Sequence, residues 1–135
     1  MIRLVVDTNV LVSAAIKTQS PPFLVIRWLE DHGGLLKSVA TEEEALRVLE
    51  RPYIASLVSE GFLEGLKALL AKAECIQIRE AISACRDPKD DKFLELAVNG
   101  LADVIVSGDA DLLTMQCFRG IPIVTPANFM QGLYR

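Results

Sequence analysis

The feature that most constrains the fold is a set of short, almost continuously apolar segments, each ending at a polar residue. Ile2–Val6 runs directly into Asp7, and Asp103–Val106 runs into Ser107. Such runs are typical of strands that are buried on both faces of a parallel sheet. Because helical patterns alternate with them, we expect an α/β fold, a three-layer α/β/α sandwich with a central parallel sheet.

Apolar periodicity and helix start and stop signals predict the individual elements. The predicted strands are Ile2–Val6, Leu35–Val39, Glu74–Ile78, Asp103–Val106 and Ile121–Val124. The predicted helices cover residues 10–16, 21–31, 54–73, 88–100 and 110–115, with another between Thr41 and Arg51-Pro52 and a closing segment after Pro126. No repeat or interdomain linker is visible, so we expect one domain over residues 1–135.

Composition indicates a globular chain without a zinc site. The net charge of −4 argues against a general polyanion binder, although carboxylates that bind metal ions also make the net charge of a protein more negative. The three cysteines form no C-x-x-C pair, and His32 precedes Gly33-Gly34 at a predicted helix end. The N-terminus does not read as a signal peptide, and no stretch approaches the roughly 18 apolar residues of a membrane span. We expect a cytoplasmic protein.

Acidic residues from four separate segments fall near the carboxyl ends of predicted strands, where sites form in open α/β sheets. They are Asp7, Glu44, Asp90 with its neighbours, and Asp109 with Asp111. Taken singly, each has a structural explanation. Asp7 and Asp109 can cap helices, and Thr41-x-x-Glu44 reads as a capping box. Only their convergence on one sheet edge favours a functional role.

Such convergence is costly without compensation. Four carboxylates within about 5 Å of each other repel by roughly 3 kcal/mol per pair at an effective dielectric near 20. Six such pairs approach ~20 kcal/mol, which exceeds the net stability of a typical domain. No predicted helix obviously aims a lysine or arginine into the cluster. The acids must therefore protonate, stay apart or hold divalent cations. Since all-carboxylate ligation is typical of Mg²⁺ or Mn²⁺, we expect one of these ions as cofactor in the third case.

The segment RDPKDD, residues 86–91, contains three aspartates with different predicted roles. Asp87 precedes Pro88 and is expected to cap the helix. On a helical wheel Asp90 lies within the apolar stripe, whereas Lys92, Glu95 and Asn99 lie opposite. Asp90 is therefore the candidate ligand. Asp91 lies at the boundary and is expected to contribute through water.

Together these segments resemble a PIN-domain ribonuclease over nearly the whole chain. The similarity rests on VVDTNVLVSA, TEEEALRVLERP, RDPKDDKFLELA, DVIVSGDADLL and the closing IPIVTPANF, in that order. It implies a PIN-like fold and Mg²⁺- or Mn²⁺-dependent cleavage of single-stranded RNA. It also implies frequent homodimers and, for many bacterial and archaeal members, a toxin role beside a small antitoxin protein.

The resemblance also assigns roles to individual residues. Asp7, Glu44, Asp90 and Asp109 are the expected catalytic acids and metal ligands, with Asp111 as an additional ligand, and the helical wheel adds Asp91. Thr8, Asn9 and Ser107 are candidates for orienting the acids or their waters, and strand-end or cap hydrogen bonds explain them equally well. The candidate contacts to the RNA backbone are Arg51, Arg86, Lys89 and Lys92, although ordinary solvated surface is the favoured explanation for most of them.

Three alternatives remain open at this point. A receiver-like phosphoacceptor domain also has acids at strand ends, but it would want a lysine where the chain has Thr125. A phosphatase-like domain would want Asp-x-Asp after the first strand, and the second position is Asn9. The third alternative is a catalytically inactive PIN fold that only binds RNA or protein.

Overall fold

The computed structural model describes residues 1–134. The strands are β1 (Leu4–Val6), β2 (Leu36–Lys37), β3 (Glu74–Cys75), β4 (Val104–Val106), β5 (Cys117–Phe118) and β6 (Ile121–Val124). The helices are α1 (Thr8–Ile16), α2 (Pro21–His32), α3 (Val39–Leu49), α4 (Pro52–Leu57), α5 (Glu60–Lys72), α6 (Asp91–Asn99), α7 (Ala110–Leu113) and α8 (Pro126–Met130). A 3₁₀ turn, Pro88–Asp90, leads into α6.

The sheet is mostly parallel. Its centre is formed by β1 and β4 when the pair β2-β3, which joins it beside β1, is included. Its order is β1-β4-β6-β5, with β1, β4 and β6 parallel and only β5 antiparallel to β6. The parallel pair β2-β3 joins this sheet through a bridge between Leu4 and Leu35. The predicted α/β architecture with a central parallel sheet is confirmed, whereas the antiparallel edge strand β5 was not predicted.

Two apolar clusters lie on the two faces of the sheet and give the fold its three layers. Leu4 and Val6 belong to a cluster built mainly with α1 to α5, whereas Val5 belongs to a second cluster with α6. Successive side chains of a strand point to opposite faces, so the two layers alternate along β1. Both faces are buried, which explains why β1 and β4 read as continuous apolar runs.

Several predicted elements differ from the structure in their bounds, and the strand predicted over Leu35–Val39 shortens to Leu36–Lys37 because Val39 begins α3. The helix predicted over residues 54–73 is two helices, because Ser59 interrupts it and caps α5 through its hydroxyl, which accepts a hydrogen bond from the Phe62 amide at 3.2 Å. The strand predicted over Glu74–Ile78 ends at Cys75. Residues 76–87, called here the 76–87 segment, run without regular structure to the 3₁₀ turn.

Side-chain acceptors on one face of α6 hold the 76–87 segment. Asp91 Oδ1 accepts hydrogen bonds from the amides of Ala84 (3.1 Å) and Cys85 (2.7 Å). Glu95 Oε2 accepts from the Ile82 amide at 2.9 Å. Asn99 Oδ1 accepts from the amides of residues 79 and 80, both at 2.9 Å. These three residues, four apart on the helix, form what we call the acceptor row.

The predicted capping box at Thr41 and Glu44 is wrong. Ser38 caps α3, and Thr41 occupies the third helical position, where the two side chains satisfy each other's backbone amides. Glu44 therefore lies about one turn further along α3, and its side chain takes no part in this cap. Over residues 1–134, no helix has the length and apolar character that would let it cross a membrane.

Candidate metal centre

Asp7 stands at the carboxyl end of β1 and is almost completely buried, with 2% of its surface exposed. Its Oδ1 accepts a hydrogen bond from the Val10 amide at 2.9 Å, so it does cap α1, and its Oδ2 accepts from the Ser107 hydroxyl. Burial raises the pKa of Asp7, and the nearby charge of Asp109 raises it further against these hydrogen bonds. The Asp7 carboxylate thus both caps α1 and lines the candidate site.

Asp90 lies in the 3₁₀ turn before α6. Its Oδ2 is buried and has no hydrogen-bond partner, alone among the buried side-chain oxygens and nitrogens of residues 1–134. Burial, together with repulsion from Asp109, Asp87, Asp7 and Asp111, raises the pKa of Asp90 to about 6. A buried carboxylate oxygen without a donor costs free energy unless something compensates it. A bound cation would provide such compensation.

Glu44 of α3 belongs to the same group of acids, but its carboxylate already has a cationic partner. Lys92 Nζ lies 2.6 Å from Glu44 Oε1, and the Thr8 hydroxyl donates to Oε2. Burial acts to raise the pKa of Glu44, but the hydrogen bonds from Lys92 and Thr8 outweigh it and the pKa lies below its usual value. The expectation that no lysine or arginine reaches the cluster was therefore wrong.

The remaining acids enter through the loop after β4 and through the 3₁₀ turn. Asp109 caps α7 by accepting from the Asp111 amide at 2.7 Å, and its own amide donates to the Ser107 hydroxyl at 2.9 Å. Asp111 Oδ1 accepts from Arg86 Nε at 2.7 Å. Asp87 caps the 3₁₀ turn, as predicted, by accepting from the Lys89 amide at 3.0 Å. Ser107 thus joins the backbone of Asp109 to the carboxylate of Asp7.

These acids form two overlapping groups that share Asp87 and Asp90. A pocket of about 280 Å³, called here the acid pocket, is lined by the acids Asp7, Glu44, Asp87, Asp90 and Asp109. In the second group, Asp87, Asp90 and Asp111 each place one carboxylate oxygen within 4.8 Å of the others. We favour the acid pocket as the centre because Asp111, the one acid found only in the second group, is already paired with Arg86.

Three predicted residues are placed differently from the expectation. Asp91 does not line the acid pocket, since its Oδ1 is occupied by two amides of the 76–87 segment. Lys92 and Arg86, expected to meet RNA, are engaged in ion pairs with Glu44 and Asp111. Lys92, which the wheel put opposite Asp90, pairs through its Nζ with Glu44 of α3.

The other predicted residues lie around the acid pocket. Arg51 and Lys89 line it and make no ion pair within residues 1–134. Asn9 also lines it, and its side chain forms no hydrogen bond to any other residue that the structure describes. Sequence reasoning missed the acceptor row, although the spacing of Asp91, Glu95 and Asn99 by four was a visible signal.

A protein-family model described as PIN domain matches residues 3–111. The chain belongs to the PIN-domain family. The match spans every acid of the cluster and ends before β6, so the similarity of IPIVTPANF to the family is not covered by it. A search of curated proteins gave no significant match. PIN domains are generally metal-dependent nucleases, and family membership therefore favours a nuclease over the receiver-like and phosphatase-like alternatives.

Proposed function

We propose that this PIN domain is a Mg²⁺- or Mn²⁺-dependent endoribonuclease that cleaves single-stranded RNA. The observation that carries the proposal is the buried, unpartnered Oδ2 of Asp90 inside a pocket of carboxylates. A carboxylate kept in such a place is explained by a ligand of opposite charge. Hard oxygen donors favour Mg²⁺ or Mn²⁺ over zinc or copper.

The residues present fit such an ion. Asp90, Asp7 and Asp109 would hold it, and Glu44 would join if Lys92 released its carboxylate. When bound, the ion supplies an activated water and neutralises negative charge that develops on the phosphate. We assign Asp91 no share in this ligand set, because its carboxylate holds the protein backbone instead.

The chain's own residues would then orient the acids and the substrate. Ser107 fixes Asp7 by donating to Oδ2, and Thr8 fixes Glu44 in the same way. A carboxylate held by such a bond keeps one orientation, which reduces the reorganisation needed when the site fills. Arg51 and Lys89 carry the positive charge that would bind the phosphates flanking the cleaved bond.

The test is metal-dependent cleavage of a short single-stranded RNA without secondary structure. Wild-type protein should cut it with Mg²⁺ or Mn²⁺ and not with excess EDTA. Asp90→Asn and Asp7→Asn should lower kcat/KM by roughly 100-fold or more, since metal catalysis supplies several kcal/mol. Asp31→Asn, an exposed acid at the end of α2, is the matched control and should retain activity. Binding of RNA without cleavage by wild-type protein would instead support the inactive binding module.

The same family resemblance leads us to propose a toxin paired with a small antitoxin protein, acting in the cytoplasm as a homodimer. A short reading frame directly upstream of the gene, whose product suppresses the RNA cleavage, is the expected finding. Cleavage that no neighbouring gene product suppresses would favour a nuclease that acts alone. Sedimentation of the purified protein tests the dimer, for which one species of twice the chain mass is expected.

A further inference from the structure

A second pocket opens directly beside the acid pocket. It has a volume of about 290 Å³ and lies between α1, the start of α2, the loop after β4 and the start of α8. Asn9 lines both pockets, and Gly108 in its wall stands between Ser107 and Asp109. The second pocket, called here the proline pocket, is therefore within one residue of two groups of the metal centre.

The walls of the proline pocket are apolar and rigid. Pro21, Pro22 and Pro126 contribute their rings, and Pro126 is buried behind the surface. A Cβ placed on Gly108 would meet no atom within 4 Å, so the side of the pocket nearest the acids is open. Ligand pockets in proteins typically combine such apolar walls with a few placed polar groups.

Two polar side chains of α1 face this apolar wall with their hydrogen-bonding groups unused. Asn9 and Ser13 are four residues apart, on one side of the helix, and both are exposed. Neither side chain makes a hydrogen bond within residues 1–134, whereas the Thr125 hydroxyl in the same pocket already caps α8. An asparagine amide offers a donor and an acceptor side by side, which matches the edge of a nucleobase.

The charge of the pocket identifies which part of an RNA strand it suits. Its lining contains no charged side chain, so it offers nothing to neutralise a phosphate. Unpaired bases in single-stranded RNA are recognised by packing of their faces and by hydrogen bonds to their edges. Apolar walls with one free amide and one free hydroxyl provide both contacts.

We propose that the proline pocket binds the nucleobase next to the phosphodiester that is cleaved. This inference rests on the proposed ribonuclease function and adds a subsite to it. The base would pack on the proline rings while Asn9 and Ser13 contact its edge. Arg51 and Lys89, on the other side of the acids, would hold the backbone.

The experiment combines a filled pocket with a missing base. Ser13→Leu places an apolar side chain in the pocket, and Ser13→Ala is the matched variant that keeps it open. Both are tested on an RNA with a mapped cut and on copies that carry one abasic nucleotide at successive positions. Mn²⁺ affinity and circular dichroism should be unchanged in both variants, because Ser13 is exposed and does not line the acid pocket.

For wild-type protein, an abasic nucleotide at one fixed position beside the cut should lower kcat/KM by about tenfold, near the lower end of the range for bases stacked on aromatic side chains, since the walls here are prolines. Ser13→Leu should cause a similar loss on intact RNA and no further loss on that abasic RNA. Equal losses on both RNAs, or no loss on either, would overturn the subsite while wild-type cleavage still supports the ribonuclease. Absence of metal-dependent cleavage by wild-type protein would overturn both.

Discussion

Asp90 and Asp91 are adjacent and chemically identical, yet their carboxylates have opposite environments. Asp91 accepts two backbone amides, whereas one oxygen of Asp90 is buried without any donor. Hydrogen bonds stabilise the charged form of a carboxylate, and burial without them opposes it. The protein itself satisfies the Asp91 carboxylate, whereas the buried oxygen of Asp90 is left for a ligand.

This contrast predicts different results for the same conservative change at neighbouring positions. Asp90→Asn should abolish binding of Mn²⁺, because it removes the charge at the unpartnered oxygen. Asp91→Asn keeps an acceptor oxygen for the amides of Ala84 and Cys85 and should retain Mn²⁺ affinity within about twofold. Isothermal titration calorimetry with Mn²⁺ measures both. Loss of binding in Asp91→Asn with binding intact in Asp90→Asn would reverse the assignment.

The raised pKa of Asp90 predicts how stability without metal depends on pH. The pKa is about 6 in the folded chain against 3.8 in the unfolded one, so the folded state binds the proton more tightly. The stability that Asp90 adds to the folded chain is therefore fully present below pH 3.8 and is lost as pH rises through about 6. Glu44, with its lowered pKa, acts in the opposite direction.

Urea unfolding in EDTA, from about pH 4 to about pH 7, isolates this effect when wild-type protein is compared with Asp90→Asn. The variant should gain stability relative to wild type as pH rises through about 6. The affinity of wild-type protein for Mn²⁺ should decrease at pH values below this one, because binding must then release a proton. A constant difference between the two proteins across this range would contradict the raised pKa.

At the scale of elements, α6 connects the core, the metal centre and the 76–87 segment. Its apolar face is buried through Phe93, Leu94 and Ala97. The acceptor row on another face satisfies backbone amides of a segment that lacks regular partners. Because that segment leads into the 3₁₀ turn that carries Asp90, the row also fixes where the turn begins.

Truncating the middle of the row should destabilise the chain without removing the metal site. Glu95→Ala leaves the partly buried Ile82 amide without its acceptor, which costs about 1–3 kcal/mol. Glu95→Gln keeps an acceptor oxygen and is the matched control, with a smaller expected loss. Urea unfolding measures the stability, and hydrogen exchange should show faster exchange of the Ile82 amide in Glu95→Ala alone. Equal stability of the two variants would remove this role from Glu95.

The elements themselves were predictable to the extent that local signals define them. Apolar runs located β1, β4 and β6, and Asp87 before Pro88 located the start of the 3₁₀ turn. The two-residue strands β2, β3 and β5 are set by pairing with distant residues, so local patterns do not fix their bounds. Ser59 ended a helix whose apolar pattern continued on both sides of it.

The candidate site was predictable in its acids but not in the ion pairs that Lys92 and Arg86 form there. Asp7, Glu44, Asp90 and Asp109 line one pocket, because strand ends and helix starts meet at one sheet edge. Whether Lys92 pairs with Glu44 depends on how α6 packs against α3. A helical wheel describes one helix at a time, so it does not contain the packing of two helices.

At the scale of the whole molecule, the net charge of −4 limits how RNA can be bound. The long-range field repels a polyanion, so binding must come from a few positive groups close to the site. Arg86 and Lys92 are engaged with Asp111 and Glu44, which leaves Arg51 and Lys89 at the acid pocket. We therefore expect few phosphate contacts and a shallow dependence of RNA affinity on salt.

For single-stranded nucleic acid, log K falls against log salt with a slope of about −0.7 per phosphate neutralised. Two cations predict a slope of about −1.4, and either Arg51→Ala or Lys89→Ala should reduce its magnitude by about 0.7. Fluorescence anisotropy of a labelled RNA measures it in Asp90→Asn, where cleavage does not interfere. Lys17→Ala, an exposed position outside the acid pocket, is the control and should leave the slope unchanged. A steeper slope that neither pocket variant alters would place the RNA on another surface, because only phosphates neutralised by Arg51 or Lys89 respond to their removal.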